Sequence, residues 1–119
     1  MVDLSLIEEI EKLGANVEEA MARFMDNSAL YERMLKRLPD ATEKAQVKAA
    51  FDAKDYDAAE KGAHALKGVA GNLALDALYE GYSRIVELLR GGKPDEASEL
   101  LKKTLELELP IVECIKKYL

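Results

Sequence analysis

Several residue types are scarce in this sequence, and each scarcity argues against a class of protein. A single cysteine, Cys114, excludes an intrachain disulfide, and its apolar neighbours in PIVECIKKYL predict a small buried side chain. No apolar stretch approaches the ~20 residues of a membrane span. The N-terminus lacks the basic start and apolar run of a signal peptide. We therefore expect a cytoplasmic protein that is not embedded in a membrane.

Positive charge is also in short supply. The chain has 17 lysines and arginines against 23 acidic residues, which gives a formal net charge of −6. A surface of this sign disfavours long-range attraction to nucleic acid or anionic lipid. We therefore expect neither among the partners.

Helix-breaking residues are few, with 3 prolines and 7 glycines in 119 residues. Runs that alternate apolar and polar residues are essentially missing, whereas apolar spacings of three and four recur, as in Leu78, Tyr82 and Ile85. The pattern predicts one all-α domain over residues 1–119. Its predicted form is an antiparallel four-helix bundle, with short N-terminal helices covering one end, and we expect a monomer.

Capping and breaking residues predict the helix boundaries. The candidate N-caps are Asp3, Asn16 (with Glu19 as a capping box), Ser28, either Asp40 or Thr42, Asp55, and Asp76. The candidate stops are Gly14, Pro39, and the pair Gly91 and Gly92. Pro94 is expected to open the last helix, and Pro110 to kink it.

The segment AEKGAHALKGVAGNLALDAL combines three glycines with the only histidine, His64. Each glycine inside a helix costs roughly 0.5–1 kcal/mol relative to alanine. On a helical wheel the apolar stripe contains Tyr56, Ala59, Ala63, Leu66, Ala70 and Leu73. The adjacent flank, pointing largely toward solvent, contains His64, Lys67, Gly68, Gly71 and Leu75. Gly68 and Gly71 would leave a flat clearing beside the imidazole, and Lys67 would add a cation. Gly62, on another side, indicates close helix packing.

One histidine restricts the chemistry that this flank can support. The sequence has too few ligands for structural zinc, no recognisable nucleophile motif for a hydrolytic triad, and no glycine-rich nucleotide loop. We therefore expect no intrinsic cofactor or metal. A neutral imidazole, with an ordinary pKa of about 6.5, is a nucleophile that can take a phosphoryl group if a partner supplies the remaining groups. A surface histidine without chemistry is the competing interpretation.

The motif AHALKGVAGNLALDAL resembles the H-x-L-K-G-x-A-x-x-L signature of histidine-containing phosphotransfer (HPt) domains. The similarity extends through LYERMLKRL, AFDAKDYDAAEKGAHALKG and ELELPIVECI, the last including the family's proline. The resemblance implies a four-helix bundle that carries phosphoryl groups between aspartates of response-regulator receiver domains, without kinase activity of its own. It implies that His64 is phosphorylated, that Lys67 stabilises the phosphate, and that Gly68 lets the receiver approach. Gly71 is a further candidate partner contact, and Leu75 is either another such contact or a core residue at the end of the helix. Mg²⁺ is expected on the receiver.

Ala74 departs from the family pattern, since many members have glycine there, which leaves the local end of the helix in doubt. Glu60 either orients the imidazole or is a solvated charge, and the second interpretation is favoured. A binding module without phosphoryl chemistry is an alternative function. A fragment of a hybrid sensor kinase is a weaker alternative, and such a kinase is a further candidate partner.

Overall fold

A computed structural model describes residues 5–119 of the chain and places eight α-helices there, with no β-strand in that range. The helices are α1 (Ser5–Lys12), α2 (Val17–Arg23), α3 (Ser28–Leu35), α4 (Leu38–Ala45), α5 (Val47–Asp52), α6 (Tyr56–Asn72), α7 (Asp76–Arg90) and α8 (Pro94–Lys116). The predicted all-α class is confirmed. The helix proposed from Asp3 begins outside the described residues.

Helices α6, α7 and α8 form the centre of the bundle. Helix α7 packs extensively against both α6 and α8, and α4 and α5 pack against α6. Three-residue connections join α6 to α7 and α7 to α8, which makes these neighbours antiparallel. Their shared core contains fully buried side chains, among them Leu78, Tyr82, Ile85 and Ile115. Cys114 is also buried, as predicted.

Several predicted boundaries are confirmed by the caps. The Asn16 side chain accepts a hydrogen bond from the Glu19 amide at 3.1 Å, and Asp55 accepts one from the Ala58 amide at the same distance. Pro94 is the first residue of α8, and Gly91 follows α7 as its C-cap. These boundaries depend on contacts within one turn of the chain, which a sequence pattern can identify.

Other predicted boundaries are wrong. Asn27, not Ser28, caps α3, because its side chain accepts the Leu30 amide at 3.0 Å. Pro39 begins a helix instead of ending one, since it lies in the first turn of α4 where its missing N–H costs nothing. The helix expected from Asp40 or Thr42 is two helices, separated at Gln46, whose φ is +47°.

Pro110 lies inside α8, which runs without interruption from Pro94 to Lys116. The Pro110 side chain is exposed to solvent. The kink expected at this proline stays a prediction.

The N-terminal helices cover the turn between α6 and α7 through a set of hydrogen bonds to backbone carbonyls. The Asn16 amide donates to the Ala74 carbonyl at 2.9 Å, and the Tyr31 hydroxyl donates to the Leu73 carbonyl at 2.9 Å. Carbonyls at a helix C-terminus have no partner within the helix, so these donors complete the end of α6. Burial raises the pKa of Tyr31 to about 12, which keeps its hydroxyl a donor.

No helix within residues 5–119 combines the length and apolar character needed to cross a membrane.

Candidate functional site

Helix α6 presents His64 to solvent. The predicted apolar stripe faces the core, since Ala59 and Ala63 are fully buried and Leu66 and Ala70 nearly so. His64 follows Ala63 and is therefore rotated about 100° away from that stripe. Its side chain is exposed, as the sequence predicts. The imidazole is accessible to a docking protein.

The imidazole lies in a shallow groove of about 370 Å³. We call this the His64 groove; it is lined by Arg23, His64, Lys67, Gly68, Gly71, Asn72 and Tyr79. Larger grooves of about 450 Å³ and 600 Å³ lie elsewhere in the described part of the chain. Neither contains His64, so the smaller groove is the candidate site because it holds the nucleophile.

The glycines of α6 are bare for different reasons. A Cβ atom added at Gly68 would meet nothing within 4 Å, so the clearing predicted beside His64 exists at this position. At Gly62 a Cβ would lie 2.5 Å from the Ala45 carbonyl oxygen, which confirms close packing there. The fold therefore requires glycine at position 62, whereas it does not require one at position 68.

The prediction that Gly71 extends this clearing is wrong. The ring of Tyr79 covers it, and a Cβ at Gly71 would lie 3.0 Å from the Tyr79 Cδ2 atom. Gly71 still lines the groove, and its contact with a partner stays a prediction.

Lys67 supplies a positive charge to the groove, at the position that the sequence predicts. Its Nζ atom lies 5.9 Å from the centroid of the Tyr79 ring, within the range of a cation–π contact. Lys67 forms no ion pair within residues 5–119, so its charge is not neutralised there by a carboxylate. The ammonium is available to an incoming anion.

Arg23 brings a second cation to the groove, which the sequence pattern does not predict. Its Nη1 atom donates to the Gly71 carbonyl at 2.7 Å, and its Nη2 atom pairs with Glu19 at 2.9 Å. The guanidinium has five N–H donors, so these two bonds leave others for a ligand. Arg23 comes from α2 and reaches the groove only through the packing of the N-terminal helices, which no local sequence pattern reports.

Leu75 does not belong to the exposed flank, so its predicted place beside His64 is wrong, and the alternative, a core residue at the helix end, is confirmed. The α6 helix ends at Asn72, so the wheel that placed Leu75 beside His64 no longer applies. The side chain is only 2% exposed and packs in the core at the start of α7.

Glu60, the candidate for orienting the imidazole, pairs instead with Arg90 of α7 at 3.4 Å. The favoured interpretation, a charge at the surface, agrees with this ion pair.

Ala74, where the sequence departs from the HPt pattern, has a left-handed backbone with φ of +57°. Glycine adopts this conformation without the steric penalty that a Cβ brings. The turn that leads from α6 into α7 is thus one that favours glycine, and this chain forms it with alanine.

The comparisons with known proteins agree with this geometry. The family model described as the Hpt domain matches residues 5–113. Searches of curated proteins and of solved structures found no match. The match covers most of the chain and includes His64, Lys67 and Gly68, the three residues that the signature and the groove share. The chain therefore belongs to the Hpt domain family, whose members act in phosphotransfer within two-component phosphorelays.

Proposed function

We propose that His64 accepts a phosphoryl group from the aspartate of one receiver domain and passes it to the aspartate of another. The observation that supports this most directly is the exposed imidazole of His64 in a groove with an open glycine position and a lysine ammonium that pairs with no carboxylate of residues 5–119. Hpt domains interact with receiver domains and with sensor kinases.

The transfer step uses the unprotonated nitrogen of a neutral imidazole. This nitrogen attacks the phosphorus of the receiver's aspartyl phosphate, an N–P bond forms, and the P–O bond to the carboxylate breaks with its electron pair. The other ring nitrogen keeps its proton until the solvent removes it. In the second half-reaction the ring regains a proton from solvent and a carboxylate of the next receiver attacks the same phosphorus. The N–P bond then breaks with its electron pair, and neutral imidazole leaves.

Charge stabilisation is the main contribution that the protein makes to phosphoryl transfer. Lys67 would neutralise the oxygens of the phosphoryl group as it moves to and from His64. We assign the Mg²⁺ of the reaction to the receiver, because the His64 groove is lined by one histidine and two cations but no carboxylate. The chain would therefore carry phosphoryl groups without kinase activity of its own.

The open space at Gly68 would let the receiver's surface reach the imidazole. Because a Cβ there meets nothing in the fold, the restriction to glycine would come from the partner instead. We further propose that the chain acts as a cytoplasmic monomer.

The test is transfer from a receiver domain carrying ³²P on its aspartate. The wild type should gain acid-labile label while the receiver loses it, and His64→Gln should gain none. The matched control is Lys61→Gln, which alters an exposed side chain of α6 outside the groove and should be labelled like the wild type. Label retained by His64→Gln would refute the assignment. A wild type that binds the phosphorylated receiver and stays unlabelled would instead be a binding module.

A further inference from the structure

Tyr79 is an exposed aromatic residue at the edge of the His64 groove that the phosphotransfer signature does not include. It lies in the first turn of α7, with 40% of its surface exposed. The short turn after α6 reverses the chain, so the ring lies against α6 over Gly71. A large side chain that stays this exposed gains little from burial.

Gly71 provides the space that the ring occupies. A Cβ at Gly71 would lie 3.0 Å from Cδ2 and 3.3 Å from Cε2 of Tyr79, which is too close unless the ring shifts. The missing side chain at position 71 and the ring at position 79 therefore form one packing unit.

Lys67 lies one helical turn before Gly71 and shares this unit. Its Nζ atom is 5.9 Å from the ring centroid. No carboxylate within residues 5–119 pairs with this ammonium. In that part of the chain, the cation–π contact with the Tyr79 ring is the interaction that restrains it. A lysine has four rotatable side-chain bonds, and an unrestrained ammonium would spend much of its time away from the groove.

We propose that Tyr79 is a positioning residue that holds the Lys67 ammonium in the His64 groove, where it meets the phosphoryl oxygens. The ring acts through Lys67 and does not touch the reacting atoms. This role rests on the proposed phosphotransfer function of His64. Three residues act together in this role. Gly71 leaves space for the Tyr79 ring, and the ring restrains the Lys67 ammonium.

The contact itself is tested without phosphoryl transfer, by NMR of the lysine side chain. An aromatic ring shifts the resonances of protons above its face upfield. The ε-methylene protons of Lys67 should be shifted upfield in the wild type and in Tyr79→Phe, and should move to ordinary lysine values in Tyr79→Leu. Ordinary values in the wild type would overturn the proposal, whatever the relay activity.

The consequence for transfer is tested by a double-mutant cycle on the rate of His64 labelling from a phosphorylated receiver. Removing an exposed cation–π contact predicts a rate lower by roughly two- to fivefold in Tyr79→Leu, with most of the rate restored in Tyr79→Phe. In a Lys67→Gln background, Tyr79→Leu should cause no further loss, because the group it positions is gone. Tyr56→Leu, at a half-buried tyrosine packed against Phe51 outside the groove, should leave the rate unchanged.

The outcomes of the cycle separate the two proposals. Equal losses from Tyr79→Leu in the wild-type and Lys67→Gln backgrounds would mean that Tyr79 acts independently of Lys67, and would overturn the positioning role. An unchanged rate in Tyr79→Leu would do the same while leaving phosphotransfer by His64 intact. A wild type that takes up no label refutes the proposed function, and with it any role of Tyr79 in transfer.

Discussion

Glu108 is a carboxylic acid of α8 that lies almost fully buried, outside the His64 groove. Its Oε1 atom accepts a hydrogen bond from the Tyr82 hydroxyl at 2.5 Å. Burial raises the pKa of Glu108 above the ordinary 4.5, and the Tyr82 hydrogen bond only partly opposes this shift. The folded protein therefore holds the Glu108 proton more tightly than the unfolded chain does.

This shift predicts the pH dependence of Glu108→Gln. A carboxyl whose pKa is raised by folding stabilises the fold less as pH rises from its unfolded pKa through its folded one. Glutamine keeps an acceptor for Tyr82 and cannot ionise. Chemical unfolding should therefore show that Glu108→Gln gains free energy of unfolding relative to the wild type between about pH 5 and about pH 8. A difference that is constant, or that shrinks as pH rises, would contradict the account.

Glu9 also makes the stability depend on pH, so the free energy of unfolding of Glu108→Gln is compared with that of the wild type at each pH. Hydrogen bonds from Tyr118 and Lys117 lower the pKa of Glu9, so its contribution to stability is lost as pH falls. Both proteins of the comparison contain Glu9, and its effect therefore cancels.

Lys54 adopts a left-handed backbone, with φ of +56°, between α5 and α6. Its side chain is exposed. Glycine avoids the steric cost of Cβ in this conformation, so Lys54→Gly should raise the free energy of unfolding by about 1 kcal/mol. The control is Lys61→Gly, at an exposed position inside α6, where the same replacement should cost about 1 kcal/mol. Thermal unfolding gives the stability of both variants. Equal losses of stability in Lys54→Gly and Lys61→Gly would contradict this account of position 54.

At the residue scale, the sequence predicts what depends on one turn of chain. Asn16 and Asp55 cap their helices as expected, because the donor amide lies three residues away. The left-handed backbone at Gln46, Lys54 and Ala74 could not be predicted, because their side chains do not favour this conformation. Each lies in the short connection between two helices.

Within α6, two glycines offer opposite tests. Gly62→Ala places a methyl group against the Ala45 carbonyl, a backbone atom that cannot turn away. We expect a loss of about 1–2 kcal/mol in the free energy of unfolding, after the gain in helix propensity. Chemical denaturation measures this loss. A Gly62→Ala protein as stable as the wild type would contradict the close packing of α4 and α5 against α6.

Gly68→Ala is the matched substitution and should have the reverse effect on stability. The added Cβ meets nothing within 4 Å, so alanine should stabilise the helix by about 1 kcal/mol. The same methyl group would obstruct a docking receiver, and transfer to His64 should slow. Denaturation and the labelling rate test both halves. A stabilised protein with an unchanged rate would show that the receiver does not need this space.

At the element scale, the face of α6 was predictable because one regular helix carries His64, Lys67 and Gly68 at fixed spacing. The groove around that face was not. Leu75 does not lie on this face, because α6 ends before it. Tyr79 lies beside the face, because the turn after α6 places the start of α7 next to Gly71. Both depend on the path of the chain between helices, which apolar periodicity does not encode.

Across the whole molecule, the N-terminal helices complete the end of α6 from a distance in sequence. Arg23 and Tyr31 donate to the carbonyls of Gly71 and Leu73, which lie 48 and 42 residues away. Arg23 also lines the His64 groove. The groove therefore depends on both halves of the chain, although the motif that predicts its chemistry lies in α6 alone.

Arg23→Gln tests this dependence on the N-terminal helices. The Gly71 carbonyl would lose a charged donor, and the groove would lose one of its two cations. A hydrogen bond to a charged group contributes about 1.5–3 kcal/mol, and the 40% exposure of this side chain brings the expected loss toward about 1 kcal/mol. Hydrogen exchange should show faster opening of the last turn of α6. An unchanged exchange rate there would contradict the account.

The central claim is that the single histidine of this protein carries the phosphoryl group. Tandem mass spectrometry of the protein after incubation with a phosphorylated receiver tests it most directly. The account predicts one phosphoryl group, located on His64, lost in mild acid and missing from His64→Gln. A phosphoryl group on any other residue, or an equal mass increase in His64→Gln, would contradict it.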